Sequence, residues 1–215
     1  MKKKIKKVNK NLWSGRFKKK PSDSMLEINA SIDFDKKLYK QDIEASRAHA
    51  TMLKNQKLIT NREAEKILSG LEIIKEEIKT GKMIFNYELE DIHTHIEIRL
   101  KELIGFTAKK LHTARSRNDQ VVTSLRLWLR VEREEIDTLL KKLQEVLLEK
   151  ADKHHNDIMP GFTHLQPAQP ITLGHHLLAY VNMFGRDRIN NEDLKRHHYS
   201  PLGSAALAGT PYNIN

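Results

Sequence analysis

Three short polar stretches carry the side chains of this sequence that could do chemistry. They are Asn29-Ala-Ser31, Leu111-His-Thr-Ala-Arg-Ser-Arg-Asn-Asp-Gln120 and Gly161-Phe-Thr-His-Leu-Gln-Pro-Ala-Gln-Pro170. A connector between helices needs only a few turn residues. These stretches hold hydroxyl, amide, guanidinium and imidazole groups as well. The excess of hydrogen-bonding side chains indicates a binding or catalytic site.

The second stretch combines cations with the start of the longest predicted helix. Arg115, Arg117 and Asn118 surround this helix N-terminus, where free backbone N–H groups and the helix dipole favour anions. An arginine side chain can also bind a carboxylate through two parallel hydrogen bonds. The sequence therefore predicts a carboxylate-binding site, although Ser116, Asn118 or Asp119 could equally serve only to cap the helix.

The third stretch places a histidine in a predicted loop that prolines stiffen. Thr163 offers a hydroxyl group, and His164 can exchange protons near neutral pH. Pro167 and Pro170 restrict the backbone, and catalysis requires well-placed groups. We interpret His164 as a candidate acid–base residue; the alternative is a solvated loop histidine without a chemical role.

Other kinds of site find no support in the sequence. Its paired histidines are adjacent or two residues apart, whereas two ligands on one helix need a spacing of three or four, so we predict no metal site. Glycine-rich phosphate loops and the G-x-S-x-G motif are absent. The lack of cysteine excludes disulfides and fits a cytoplasmic protein. No apolar run of about 18 residues predicts a membrane span.

The net charge of +10 comes from the N-terminus. Residues 1–20 contain ten of the 38 Lys and Arg residues and no acid, so the other residues carry 28 charges of each sign. We interpret residues 1–11 as a basic, disordered tail. Such a tail can bind nucleic acid, but no aromatic or base-reading motif supports that partner.

Helical periodicity dominates from residue 36 onwards. Candidate helices lie at 36–55, 60–80 and 90–104, and Thr60-Asn-Arg-Glu63 reads as a capping box for the second. We expect Gly81 to end that helix. A loop-like stretch at 106–117 follows the third helix.

A much longer helix is predicted from about residue 118 to 155. No Pro or Gly interrupts its apolar stripe, and a helix of this length needs partner helices. A further helix is expected from about 170 to 199, followed by a small-residue loop at 201–211. No segment shows strand-like alternation. The sequence thus predicts an all-α fold, with an N-terminal helical domain at 12–115 and the start of a long-helix bundle at 116–215.

Taken together, these segments resemble the argininosuccinate lyases of the fumarase/aspartase superfamily. The matching segments run through nearly the whole chain: Leu12-Trp-Ser-Gly-Arg-Phe17, Asn29-Ala-Ser-Ile32, Glu90-Asp-Ile-His93, Lys110 to Thr123, Pro160-Gly-Phe-Thr-His-Leu-Gln166 and Pro201-Leu-Gly-Ser204. The S-R-N-D-Q and T-H-L-Q segments are the most specific. Ala114 and Ala205 stand where the family commonly has glycine. The implied fold is the start of a fumarase/aspartase-type helical bundle.

The resemblance implies a reaction and a set of residues. Argininosuccinate is split reversibly into arginine and fumarate by acid–base catalysis without a cofactor, as a step of arginine biosynthesis. The family pattern assigns an acid–base role to His164. It assigns substrate binding to Ser31, Asn118 and Thr163, and a place near the substrate to Asp91 and His93. The cation of Arg117 suits the extra negative charge of the intermediate, so we expect Arg117 to bind substrate as well.

The resemblance also implies an assembly. The family forms a homotetramer whose active sites combine segments of three subunits. A third family segment, a G-S-S-x-M-P-x-K-x-N loop that supplies a serine base, does not occur in the sequence. We therefore expect the 215-residue chain alone to be inactive. The alternatives are another lyase of the superfamily, acting on adenylosuccinate, and a non-enzymatic helical protein with a nucleic-acid-binding tail.

Overall fold

The computed structural model of the chain describes residues 22–189 and 199–215. These residues form two compact units: 22–125 together with 201–215, and 126–189 together with 199–200. The basic tail at 1–11, the motif at 12–17 and the expected end of the last helix at 190–198 lie outside the described residues. No helix within the described ranges is both long and apolar enough to cross a membrane.

The first unit is helical, as predicted. Its complete helices are α1 (Asp23–Asn29), α2 (Ile32–Asp35), α3 (Tyr39–Asn55), α4 (Asn61–Lys79) and α5 (Ile92–Ile104). The predicted loop at 106–117 is mostly a 3-10 helix, Gly105–His112. Gly105, at φ 68°, ends α5. The next residues stay wound because Ala108 and Leu111 are buried in the core.

Helix α4 shows why these sequences form these helices. The Thr60 side chain accepts from the Glu63 amide, and the Glu63 side chain accepts from the Thr60 amide, so the predicted capping box is present. Its apolar stripe, which includes Ile67 and Leu71, is buried against α3 and α5. Gly81, at φ 69°, follows the last turn as expected. The α3–α5 core therefore rests on local signals that the sequence displays.

Helix α6 (Arg117–Lys153) starts in the first unit and continues through the second. Its 37 residues span about 55 Å at 1.5 Å per residue. The boundary between the compact units falls after Leu125, within this helix, whereas the sequence suggested a division at 115. The last segment, 201–215, packs with the first unit.

In the second unit, α7 (Leu173–Ile189) pairs antiparallel with the later part of α6. Arg188 donates two hydrogen bonds, of 2.9 and 3.1 Å, to the Asp137 carboxylate. About two turns further along α6, Gln144 Nε2 donates to the Val181 carbonyl at 2.7 Å. At the closed end, a Cβ on Gly174 would lie 2.6 Å from the Ala151 carbonyl oxygen. Glycine at 174 therefore permits close approach of the two helices.

The connection between α6 and α7 is a β-hairpin, which the sequence analysis failed to predict. Its strands are β1 (Ile158–Thr163) and β2 (Gln166–Thr172), paired antiparallel with an irregularity at Gly161/Phe162. Three prolines in the two strands remove backbone donors, and along β2 exposed and partly buried residues do not alternate. A strand is usually recognised in a sequence as a run without proline in which polar and apolar residues alternate. This segment does not have that pattern.

Candidate functional site

The turn of this hairpin carries the predicted acid–base histidine. Thr163 pairs with Gln166, so His164 and Leu165 are the two residues of the turn. Their φ angles are 50° and 61°, and a two-residue turn of the I′ type requires positive φ at both positions. Neither residue is glycine, so the backbone is strained there. The hairpin presents Thr163 and His164 at an exposed tip of the second unit.

An open groove of about 930 Å³ lies in the first unit at the start of α6. One wall consists of polar and charged side chains: Glu97, His112, Arg115, Ser116, Arg117 and Asn118. The other wall is the small-residue loop at 205–212. Partial burial, with Arg115 nearby, lowers the pKa of the His112 imidazole, which favours its neutral form in the groove.

Arg115 contributes a buried donor to this region. Its Nη1 donates to Ser46 Oγ at 2.9 Å. Its Nε atom is buried and has no hydrogen-bond partner among the described residues. A buried donor without a partner is costly in a folded protein. Arg115 therefore carries one donor without a partner, at an atom that is closed to solvent.

Arg117 is held by carboxylates of the chain itself. Its Nη2 donates to Glu97 Oε2 at 3.0 Å, its Nη1 donates to Gln120 Oε1 at 2.8 Å, and its Nε lies 3.9 Å from Asp91 Oδ2. These partners fix the guanidinium plane beside the first turn of α6. A substrate carboxylate at Arg117 would have to compete with Glu97.

Asn118 is the most accessible of the predicted polar residues on this wall. It is exposed, and it lines the groove. Its backbone N–H donates to Ser116 Oγ at 3.2 Å. Within the described part of the chain, its side-chain amide makes no hydrogen bond. The amide of Asn118 is thus free to donate to a ligand in the groove.

A strained turn joins the predicted residues Ser31 and Asp91. The backbone at Glu90 has φ 58° and ψ −62°, and the Asp91 N–H donates to the Leu89 carbonyl at 2.6 Å, which defines a γ-turn of the rare, strained kind. The Glu90 carbonyl accepts from the Ser31 N–H at 2.9 Å. Ser31 also donates to Asp35 Oδ2 at 2.6 Å. Ser31 and Asp91 are therefore adjacent.

His93 lies behind the groove in the interior of the first unit. It is 2% exposed, and its Nδ1 donates to Asp42 Oδ1 at 2.7 Å. The same oxygen accepts from Gln120 Nε2 at 2.8 Å and from Ser124 Oγ at 3.1 Å. Burial alone would raise the pKa of Asp42. The charges of His93 and Arg115 and the hydrogen bonds of His93 and Gln120 lower it to about 2.

The structure brings five of the seven predicted residues into one neighbourhood of the first unit. Ser31 meets the 90–91 turn, Asp91 approaches Arg117, and Arg117 precedes Asn118, while His93 supports α6 through Asp42. Thr163 and His164 belong to the other unit. The sequence analysis missed Asp42 and assigned Glu97 no role. Their charges on otherwise apolar helix faces were the available signal.

Comparison with known proteins gives this arrangement a family context. A family model described as Lyase matches residues 15–215. A protein of Bartonella bacilliformis named argininosuccinate lyase is 54% identical over 210 residues, which is 97% of this chain and 45% of that protein. The chain thus spans less than half the length of this curated relative. The predicted resemblance is confirmed.

Solved structures agree on the fold. An EDDS lyase variant with bound fumarate superposes with a TM-score of 0.75 at 31% identity, over 88% of this chain and 37% of that one. A fumarate lyase from Brucella melitensis, at 20% identity and a TM-score of 0.71, covers 87% of this chain and 44% of its own. The predicted fumarase/aspartase-type helical fold is confirmed. Because the family model covers nearly all of its residues, the chain belongs to the Lyase family.

Proposed function

We propose that this chain forms part of the active site of an argininosuccinate lyase. The observation that carries the proposal is the 54% identity to a protein of that name, which extends through the residues around the groove. In the reaction, a base removes a proton from the carbon next to a substrate carboxylate. The C–N bond then breaks, the guanidino nitrogen takes up a proton, and arginine and fumarate are released.

The groove offers donors where this reaction develops negative charge. Removal of the proton leaves extra charge on a carboxylate, which preorganised donors and cations stabilise. The Asn118 amide meets this need on one wall, which the Arg115 side chain also lines. In our proposal Arg117 exchanges Glu97 for substrate and Ser31 adds a hydroxyl donor, while Thr163 adds its hydroxyl to a site that it shares with another subunit. The similar EDDS lyase holds fumarate, a dicarboxylate.

Asp91 and His93 have supporting roles in the proposal. Asp91 lies behind Arg117 and fixes its orientation. His93 is too buried to touch a ligand in the groove, so we propose that it acts on α6 through Asp42. His164 exchanges the proton with the leaving nitrogen or the substrate carbon. No resident cofactor enters the scheme.

We expect Asn118→Ala to lower kcat/KM for argininosuccinate about 100-fold or more, the usual effect of removing one donor to a developing oxyanion. The assay uses a chimera in which this chain replaces the matching part of the Bartonella bacilliformis relative. Fumarate release, followed by its ultraviolet absorbance, measures turnover. Asn55→Ala, an exposed change at the end of α3, is the matched control. Turnover of adenylosuccinate instead of argininosuccinate by the unmutated chimera would refute the proposed substrate.

The proposal includes the cytoplasmic homotetramer that the resemblance implies. An apolar stripe on α6 in the second unit supports the assembly. Ile136, Leu139, Leu143 and Val146 recur at spacings of three and four, yet they are 42–56% exposed. Apolar residues at this spacing form the seam along which two helices pack against each other. A second copy of this chain is the partner that the proposal places on it.

Leu139→Glu should therefore break the chimera into smaller species. A charge placed on a helix–helix seam is left buried without a partner, which costs several kcal/mol per interface. Sedimentation velocity at several protein concentrations measures the assembly. Glu134→Gln, an exposed substitution on the side of the helix away from the stripe, should leave the sedimentation coefficient unchanged. A Leu139→Glu chimera that sediments like the unmutated one would show that this stripe lies outside the interface.

A further inference from the structure

Asp119, in the first turn of α6, binds two separate segments through one carboxylate. The residue is 4% exposed. Its Oδ1 accepts from the Ser116 N–H at 2.9 Å, which caps the helix start as the sequence analysis allowed. Its Oδ2 accepts from the Gly203 N–H at 3.2 Å and the Ala205 N–H at 2.8 Å. Only the first of these contacts belongs to helix capping.

The loop residues adopt an unusual backbone to make these contacts. Gly203 has φ 106° and Ala205 has φ 51°. Alternation of left-handed and ordinary residues turns successive N–H groups inward and creates a concave anion site. Here the anion is a side chain of the same chain. Ala205 is strained in this conformation, and such strain persists only where the surroundings enforce it.

The bound loop is also the second wall of the groove. Residues 205–212 face Arg115, Arg117 and Asn118 across it. Asp119 attaches the near end of this loop, and Asn213 Nδ2 attaches the far end by donating to Gln56 Oε1 at 3.1 Å. The groove thus has one cationic and amide-bearing wall and one wall of small apolar residues such as Ala206 and Ala208.

We propose that Asp119 is a positioning residue that holds the 203–212 loop in place as the apolar wall of the substrate groove. The loop supports the aliphatic part of a substrate whose carboxylate binds the opposite wall. The link to substrate rests on the proposed function, whereas the attachment of the loop does not. Asp119 touches no reacting atom in this scheme.

The chemistry of the contact requires a carboxylate. Both oxygens of Asp119 accept hydrogen bonds from backbone N–H groups. Asparagine has one acceptor and one donor group, so either orientation turns an N–H₂ towards a backbone N–H. Asp119→Asn therefore loses either the cap or the loop, whereas Asp119→Ala removes the acceptors of both.

Hydrogen exchange on the 215-residue chain tests the attachment without any assay of turnover. In Asp119→Ala, the Gly203 and Ala205 amides should exchange about tenfold faster or more, the effect of losing one to two charge-assisted bonds. Amides in α3–α5 should keep their protection. Glu135→Gln is the control on the same helix, and Ala205→Gly, which keeps the donor and relieves the strain, should exchange no faster than the unmutated chain. Unchanged exchange at 203 and 205 in Asp119→Ala would overturn the proposal.

Steady-state kinetics of the chimera test the role in substrate binding. Asp119→Ala should raise KM for argininosuccinate about tenfold with kcat within about threefold, because substrate binding is weakened and the reacting groups stay. A residue needed only for folding would lower kcat with the active fraction and leave KM unchanged, and that result would overturn the positioning role. Gly203→Ala disturbs the same contact from the loop side and should give the same rise in KM. If the unmutated chimera is inactive, the proposed function fails, while hydrogen exchange still decides whether Asp119 holds the loop.

Discussion

Replacing Asp42 with alanine is expected to lower the free energy of unfolding of the first unit by roughly 3–5 kcal/mol, the usual cost of breaking a buried ion pair from one side. Asp42 is fully buried, and its Oδ1 accepts from His93, Gln120 and Ser124. Alanine removes the acceptor of all three donors at once. Since these donors belong to α5 and α6, the change should weaken the contacts of α3 with both helices.

The same carboxylate gives the prediction a pH dependence. The pKa of Asp42 is lowered to about 2 in the folded chain, below its usual value near 4. A lowered pKa stabilises the fold above the unfolded value, and this contribution is lost as pH falls from about 4 to about 2. The shift corresponds to roughly 2 kcal/mol. Asp42→Asn keeps an acceptor but no charge, so its stability should fall less steeply over this range than that of the unmutated chain.

Hydrogen exchange in α3 and α5 measures both effects, because it reports the opening of the first unit separately from the second. Glu44→Ala is an exposed substitution on the same helix as Asp42. Its opening free energy should stay within about 0.5 kcal/mol of that of the unmutated chain. A difference of about 1 kcal/mol or less between the opening free energies of Asp42→Ala and Glu44→Ala would be no larger than a minor surface effect. That result would show that the three donors find other partners. An equal pH slope for Asp42→Asn and the unmutated chain would refute the lowered pKa.

Helices α3, α4 and α5 could be predicted because their signals are local, whereas α1 and α2 were not predicted. The capping box at Thr60 and the glycine at 81 act on their immediate neighbours. The long helix was predictable because nothing in the sequence interrupts it. Its start at Arg117 also follows from residues beside it, since Asp119 caps the Ser116 amide three residues earlier.

The rest of the site depends on contacts between residues far apart in sequence. Nothing near Asp42 shows that it will meet Gln120, and nothing near Gly203 shows that its amide will meet Asp119. The strain at Glu90 is equally invisible, because the Ser31 amide that holds its carbonyl is distant in the chain. Ala114 and Ala205, at which the resemblance led us to expect glycine, both have positive φ, a backbone conformation that glycine adopts more readily than alanine.

Replacing His164 with asparagine should lower kcat for argininosuccinate by roughly 10²–10⁴-fold, the usual contribution of a general acid or base. Asparagine is the suitable replacement because it preserves the backbone conformation of the turn. His164 has φ 50° in a two-residue turn, and asparagine adopts this conformation more readily than most residues. The hairpin should therefore persist, and the loss can be assigned to the imidazole. The chimera supplies the rest of the protein for the assay.

A pair of variants separates proton transfer from support of the turn. His164→Ala removes the imidazole and also strains the turn, whereas His164→Asn removes only the imidazole. If His164 exchanges protons, both variants lose activity to a similar extent, and the limb of the pH–rate profile that reports the histidine disappears. If His164 only shapes the turn, the asparagine variant works nearly as well as the unmutated chimera and the alanine variant does not. Because Leu165 is 93% exposed at φ 61°, Leu165→Gly relieves strain beside an intact imidazole, and it should retain the histidine-dependent limb.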